Sequence, residues 1–330
     1  MARRRNPDEP DYQSMMDSAI DFFQRLDLRA QVAVVAVLLV AGLVAAFIYY
    51  RSQNPSTSTS APSGQVNVQM LLGNPSNATP DPSNRDNYLM PKPYYALSYN
   101  DSRGTPNWVS WQVTAAYLGD APRKQEFDPD TTLPEGFYRV THRDYSGSGF
   151  DRGHMCPHSD RAANQEMSFA TFVMTNIIPQ APNVNRKAWA QFESYCRGLV
   201  THEHDHLYIT AGPAGKGGRG SKEFRDEIAG GRVVVPAECW KVVVAVPESG
   251  GDDDLAKISM GTRVIAIIMP NDNDQVGEEW AKFRTSPAEV ERHTGLHFFD
   301  RVRPDIAQTL RQRVDDEAIT PPRPMFHDSD

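Results

Sequence analysis

A single charge-free apolar run, residues 32–50, constrains this chain more than any other feature. A helix over it rises ~1.5 Å per residue and spans roughly 28 Å, close to the hydrocarbon core of a bilayer. Tyr49 and Tyr50 stand at one end, where interfacial aromatics are expected. A buried helix of a soluble domain is the competing reading. It is disfavoured because the run has no polar face and leads into a stretch rich in Ser, Thr, Pro and Asn. Five arginines (Arg3, Arg4, Arg5, Arg25, Arg29) precede the run and only Arg51 follows closely. The positive-inside rule therefore places residues 1–31 in the cytoplasm and the rest outside, in the periplasm or at the cell surface. A cleavable signal peptide has a shorter basic region than these thirty-odd residues, and a transit peptide avoids the acids Asp8, Glu9, Asp11, Asp17, Asp21 and Asp27. The reading is an uncleaved single-pass anchor at 32–50 and a disordered linker at 51–86, within which residues 67–72 form a short ordered patch. A folded domain follows at 87–304, with a C-terminal tail at 305–330.

Three segments of the folded part carry chemistry. The first is Asp151-Arg152-Gly153-His154, the second Thr175-Asn176-Ile177-Ile178-Pro179-Gln180, and the third Asn185-Arg186-Lys187-Ala188-Trp189-Ala190-Gln191-Phe192-Glu193. An imidazole titrates near neutrality and can act as a general base. An amide oxygen and a carboxylate eight residues apart suit a hard cation such as Mg²⁺, and an arginine beside the histidine suits a phosphate. The third segment reads as a helix over 185–200. Steps of four residues keep Asn185 and Glu193 on one side, about 80° apart, with Arg197 a further turn on. Taken singly, Asn185 is a good helix cap and Glu193 with Arg197 an ordinary i,i+4 pair. Together, base, cation site and phosphate clamp describe phosphodiester hydrolysis.

The ordered set D-R-G-H, T-N-x-x-P-Q, N-x-x-x-W-x-x-x-E resembles the DNA/RNA non-specific endonucleases, the ββα-metal nucleases that include the endonuclease G type. The resemblance covers roughly residues 87–304. It implies an α+β fold, with a central, mostly antiparallel sheet flanked by helices. It also implies Mg²⁺ as cofactor, with Mn²⁺ as a substitute, and cleavage of DNA and RNA to 5′-phosphate and 3′-hydroxyl ends. By resemblance His154 is the general base and Asn185 the one direct metal ligand, while Glu193 acts on the metal through water. Arg152, Arg197 and Arg123 hold the substrate, and Arg152, Asn176, Glu193 and Arg197 join His154 in the catalytic set. Asn176 and Asp151 are expected to position their neighbours. A homodimer is the assembly the family suggests. The alternative is a membrane-tethered nucleic-acid-binding protein without turnover, which the complete set of motif residues disfavours.

The formal net charge of −8 weighs against a nucleic-acid partner, yet the site needs only local positive potential. Arginines cluster near the motifs, whereas acids such as Asp252, Asp253 and Asp254 lie elsewhere. Cys156, Cys196 and Cys239 allow at most one bridge and have no zinc spacing. His202, His204 and His206 alternate as on a strand face but have no place in the motif set, so a solvated turn is preferred to a metal site. Residues 94–99, 108–113, 169–174, 207–210, 239–246, 264–271 and 290–299 read as strands. Residues 146–164 read as loop, and a short helix follows Pro304.

Overall fold

The computed structural model describes residues 67–248 and 253–319, together with Met16, residues 22–28, Ala30, Gln31 and Val34. Two compact units divide the chain, Met1–Gln65 and Val66–Asp330. In the first, Asp27 accepts the Ala30 amide at 2.8 Å. Among the described residues no helix is long and apolar enough to cross a membrane. Apart from Val34, the run 32–50 lies outside them, as do residues 51–66 and 320–330.

The second unit begins with three strands, β1 (Tyr88–Pro91), β2 (Ala96–Asn100) and β3 (Thr105–Val113). Two short strands, β4 (Asp151–His154) and β5 (Ile177–Gln180), pair only with each other; between them lies helix α1 (Gln165–Ala170). After β5 a π turn, Val184–Ala188, runs into helix α2 (Trp189–His202). Strands β6 (Asp205–Ala214), β7 (Glu238–Pro247), β8 (Arg263–Pro270) and β9 (Arg284–Thr285) follow, then helices α3 (Pro287–Thr294) and α4 (Pro304–Gln312). Seven strands form one sheet in the order β1-β2-β3-β6-β7-β8-β9, antiparallel throughout. The expected α+β architecture is observed.

Both faces of the sheet are covered, so its central strands are apolar on both sides. Period-two alternation decides which residue goes where. On β3, Val109, Trp111 and Val113 face α2 and the β4–β5 pair, whereas Trp108 faces α3 and α4. On β7, Trp240, Val242, Val244 and Val246 join Trp108, and Cys239, Val243 and Ala245 point the other way. Each fully buried Leu or Phe of these cores contributes roughly 1.5–3 kcal/mol relative to exposure.

Several expectations are corrected. Residues 67–86 belong to the folded unit rather than to a linker. Gln69 is buried, and its Oε1 accepts the Gln112 backbone amide at 2.9 Å. Residues 151–154 are a strand rather than loop, since β4 has a partner in β5. Residues 169–174 are not a strand: α1 ends at Ala170 and a 3₁₀ turn spans Met174–Asn176. Residues 290–299 are not a strand: 290–294 are the second half of helix α3 and 295–299 lie beyond it. Ser286 caps the helix by accepting the Glu289 amide, Pro287 opens it, and Gly295 ends it at φ 71°. The short helix expected after Pro304 is present as α4, but its Ile306, Ala307 and Leu310 are buried, so it belongs to the folded unit rather than to a tail. Farther along, buried Asp315 accepts from Arg263 at 2.9 Å.

Candidate active site

The motif residues meet because β4 and β5 pair and then hand the chain to α2. Asp151 lies opposite Gln180, Gly153 opposite Ile178 and His154 opposite Ile177. Gly153 is required by close approach: a Cβ there would stand 2.2 Å from Gln180 Oε1. Asn176 continues the ladder with its side chain. Its Oδ1 accepts the Cys156 amide at 2.9 Å, and its Nδ2 donates to the Cys156 carbonyl at 2.8 Å and to Thr171 O at 2.9 Å. Thr175 latches onto buried Asp130 at 2.6 Å, and Lys92 neutralises that carboxylate at 2.7 Å. Beyond β5, Asn271 receives the Ala181 amide at 2.7 Å and donates to Pro179 O at 3.0 Å. Asn183 is held in turn by Asn273 at 3.0 Å. These clamps fix where the helical segment starts. Its first turns carry an extra residue, a feature frequent at functional sites.

A cavity of about 520 Å³ opens between β4 and α2. His154, Arg152, Arg123, Asn185, Glu193 and Arg197 line it, with Asp151, Arg186 and His158. The cavity thus gathers five of the six motif-derived site residues and Arg123. Asn176 does not line it: fully buried, it shapes the strand carrying His154, which is a positioning geometry. Trp189, the tryptophan of the third segment, is core. Asn185 is not a helix cap; it sits inside the π turn.

The His154 ring packs edge-on to Phe172 at 4.8 Å and against Phe127 at 5.2 Å. Its Nε2 is buried without a hydrogen-bond partner, and buried polar atoms of that kind call for explanation. Burial, with Arg123 and His158 nearby, pushes its pKa down to about 3, so the ring is neutral at pH 7 and able to accept a proton. Asp151 organises the opposite wall. Its Oδ2 receives Asn185 Nδ2 at 2.9 Å, and its two oxygens receive Arg186 at 2.7 and 2.6 Å. With its Nδ2 committed, Asn185 presents Oδ1 as the free end of the amide. Arg152 donates to His142 O at 2.5 Å, and the Arg123 guanidinium stacks 5.1 Å from the Phe172 ring. Arg197 Nη1 pairs with Asp160 Oδ1 at 3.1 Å, and Glu193 Oε1 receives Lys241 Nζ at 3.1 Å. Burial holds the Glu193 carboxyl above its ordinary range despite Lys241.

A hard-oxygen cation fits this donor set. Asn185 Oδ1 and the Glu193 carboxylate are both oxygen donors on one wall, and a cation such as Mg²⁺ takes few protein ligands and keeps its waters. Among the described residues no group of three or more His, Cys, Asp or Glu could hold a metal ion. The histidine trio does not alternate on one strand: His202 ends α2, His204 takes φ 58°, and His206 on β6 bonds Asp254 at 2.7 Å. The three cysteines are free and buried. Four arginines against two carboxylates line the cavity, so it is locally positive in a chain of net charge −8.

Sequence reasoning missed His158, Phe127 and Arg186 as cavity residues, and Asp160 and Lys241 beneath it. Only their proximity to the motifs hinted at the first three, and nothing local distinguishes a lysine inside a valine-rich strand as functional.

Comparison with known proteins agrees with this geometry. The family model described as DNA/RNA non-specific endonuclease matches residues 72–305. A nuclease of Nostoc sp. (strain PCC 7120) is 45% identical over 279 residues, which cover 84% of this chain and 97% of that protein. The mitochondrial nuclease EXOG of Danio rerio is 32% identical over 211 residues, covering 62% of this chain and 59% of that protein. The crystal structure of the EndoG/EndoGI complex aligns with a TM-score of 0.57 and 27% identity, covering 75% of this chain and 95% of that chain. The family model and the relatives together show that this chain belongs to the DNA/RNA non-specific endonuclease family.

Proposed function

We propose that this nuclease is a Mg²⁺-dependent endonuclease that hydrolyses DNA and RNA without sequence preference. The observation carrying the proposal is that neutral His154 and the free amide oxygen of Asn185 line one arginine-rich cavity. Arg152, Arg197 and Arg123 hold the scissile phosphate. His154 takes the proton of the attacking water. Asn185, its amide oriented by Asp151, would hold the divalent cation, and Glu193 would orient the water around it. That cation, when bound, supplies positive charge to the strained phosphate and the leaving oxygen. The water oxygen bonds to phosphorus as the P–O3′ bond breaks, and the departing oxygen takes a proton from water, leaving 5′-phosphate and 3′-hydroxyl ends. The groups lining the cavity suit phosphate rather than base edges, which supports action on both sugars and weak sequence preference.

The test is digestion of supercoiled plasmid and of single-stranded RNA by the full chain in Mg²⁺, in Mn²⁺ and in chelator. Cleavage of both polymers with either metal, and of neither in chelator, is expected. Undiminished cleavage in chelator would overturn the metal assignment, and intact RNA would restrict the substrate to DNA. The membrane anchor at 32–50 is proposed from hydropathy and arginine placement alone. Recovery of the full chain in the soluble fraction of cells would contradict it.

A further inference from the structure

Lys241 lies mid-strand on β7, on the side facing α2, and its side chain is 1% exposed. Alternation gives this face of β7 to Cys239, Val243 and Ala245, so an apolar residue is expected at 241. Instead an ammonium group is carried into the core. It stands 4.3 Å from the Trp189 ring and 5.4 Å from the Trp111 ring. Its hydrogen bond goes to Glu193 Oε1, at 3.1 Å. Among the described residues the other oxygen, Oε2, accepts from no side chain, and Glu193 lines the cavity. An ion pair this buried is a weak source of stability, since desolvation offsets the attraction and an apolar residue of similar volume does as well.

The same device recurs one turn on. Arg197 is held by Asp160, whose other oxygen takes Trp111 Nε1 at 2.9 Å. Two cavity residues of α2 are thus each held from below by one buried counter-charge, and Trp111 touches both counter-charges.

We propose that Lys241 is a positioning residue for the reaction. It grips Glu193 Oε1 beneath α2, stops the carboxylate from turning, and aims Oε2 into the cavity at the hydrated divalent ion. The two indole rings make the slot narrow, so the ammonium has one place to go. The proposal rests on the reading above in which Glu193 serves that ion.

The test uses the full chain in four forms: unaltered, Lys241→Met, Glu193→Gln and the double variant. Three quantities are read: Mn²⁺ affinity without nucleic acid, by electron paramagnetic resonance; the plasmid cleavage rate at saturating metal; and thermal stability. Lys241→Met is expected to lower Mn²⁺ affinity or cleavage by roughly 10- to 100-fold, the usual effect of removing a partner that orients a metal-site group. Because Lys241 acts through Glu193, the double variant should match Glu193→Gln within about twofold. It should also regain the thermal stability that Lys241→Met loses, as no unpaired buried charge remains. A folded Lys241→Met with native affinity and rate overturns the proposal. So does a Lys241→Met penalty of the same size in the Glu193→Gln background. Should Lys241→Met not fold, the comparison of the double variant with Glu193→Gln decides alone. If the unaltered chain cuts DNA but binds no Mn²⁺, the metal reading fails, and the cleavage rates of the four forms still decide the Lys241–Glu193 link.

Discussion

The two faces of the seven-stranded sheet solve opposite problems. The face under α3 and α4 is built round Trp108, Trp240, Phe298 and Leu310, and its buried polar groups are satisfied: Ser98 bonds Asn87 at 2.7 Å and Gln112 bonds Tyr208 at 2.8 Å. The face under α2 buries Lys241, Asp160 and Asn176, and on its side His154 Nε2 and Trp189 Nε1 have no partner. Unsatisfied buried polar groups cost stability, about 1–3 kcal/mol each. The difference teaches that one face is built for the fold alone, while the other gives up polar satisfaction beside the cavity where the chemistry is proposed.

Paired substitutions break or sharpen that contrast. On the site face, His154→Ala should slow plasmid cleavage by roughly 10²- to 10⁴-fold, the usual worth of a general base. The change in thermal stability should be small, because the packing lost against Phe172 and Phe127 is offset by removing a buried nitrogen that has no partner. On the other face, Leu310→Ala should cost about 2–5 kcal/mol in urea unfolding while activity per folded molecule stays native. If Leu310→Ala changed the rate of folded enzyme tenfold, the separation of roles would be wrong.

Gly153→Ala lies at the boundary between fold and chemistry. A methyl group there meets Gln180 Oε1 at 2.2 Å. The expected cost is about 1–3 kcal/mol, as for overpacked cores, together with slower cleavage as His154 moves with its strand. Native stability and rate in Gly153→Ala would show that β4 tolerates the displacement.

The smallest effect is on pH dependence. Above about pH 6.5 His154 is neutral both in the fold and in the unfolded chain. Below that the unfolded chain takes up a proton, which the folded ring, with its pKa pushed down to about 3, refuses. Stability therefore falls as pH drops from about 6.5 towards 3, by at most ~1.4 kcal/mol per pH unit from this group. His154→Ala should flatten that slope and Leu310→Ala should keep it, as read from urea midpoints at pH 7 and pH 5. Identical slopes in both variants would remove His154 as the source.

Much of the site was legible in the sequence because the family motif is local: Asp151 to His154, Asn176, and Asn185 to Arg197 are three short segments of one chain stretch. The strands β3, β7 and β8 were legible for the same reason: the alternation of β3 and the continuous apolar runs of β7 and β8 are local signals. What escaped depends on distant partners. Residues 151–154 look like glycine-rich loop until Gln180 and Ile178 supply the neighbouring strand. Residues 290–299 were read as a strand by resemblance to the family, yet the Ser286 cap and Gly295 stop set a helix over the first part. Lys241 sits in a run of valines, and its role exists only because Glu193 arrives from another element. Residues 73–86, polar and Pro-rich, were read as tether around the ordered patch at 67–72, yet they too belong to the folded unit: Asn74 Nδ2 donates to Ala78 O at 2.9 Å and Ser76 Oγ to Asn87 Oδ1 at 2.6 Å.

The central claim is that strand β4 and the π turn before α2 bring an imidazole and a cation-binding amide to one phosphate. Crystals of the full chain soaked in Mn²⁺ test it most directly through anomalous scattering. The account predicts one strong peak in the 520 Å³ cavity, bonded to Asn185 Oδ1, with water between it and Glu193 and with the His154 ring unbound. A peak ligated by His154, or Mn²⁺ bound only outside this cavity, would contradict it.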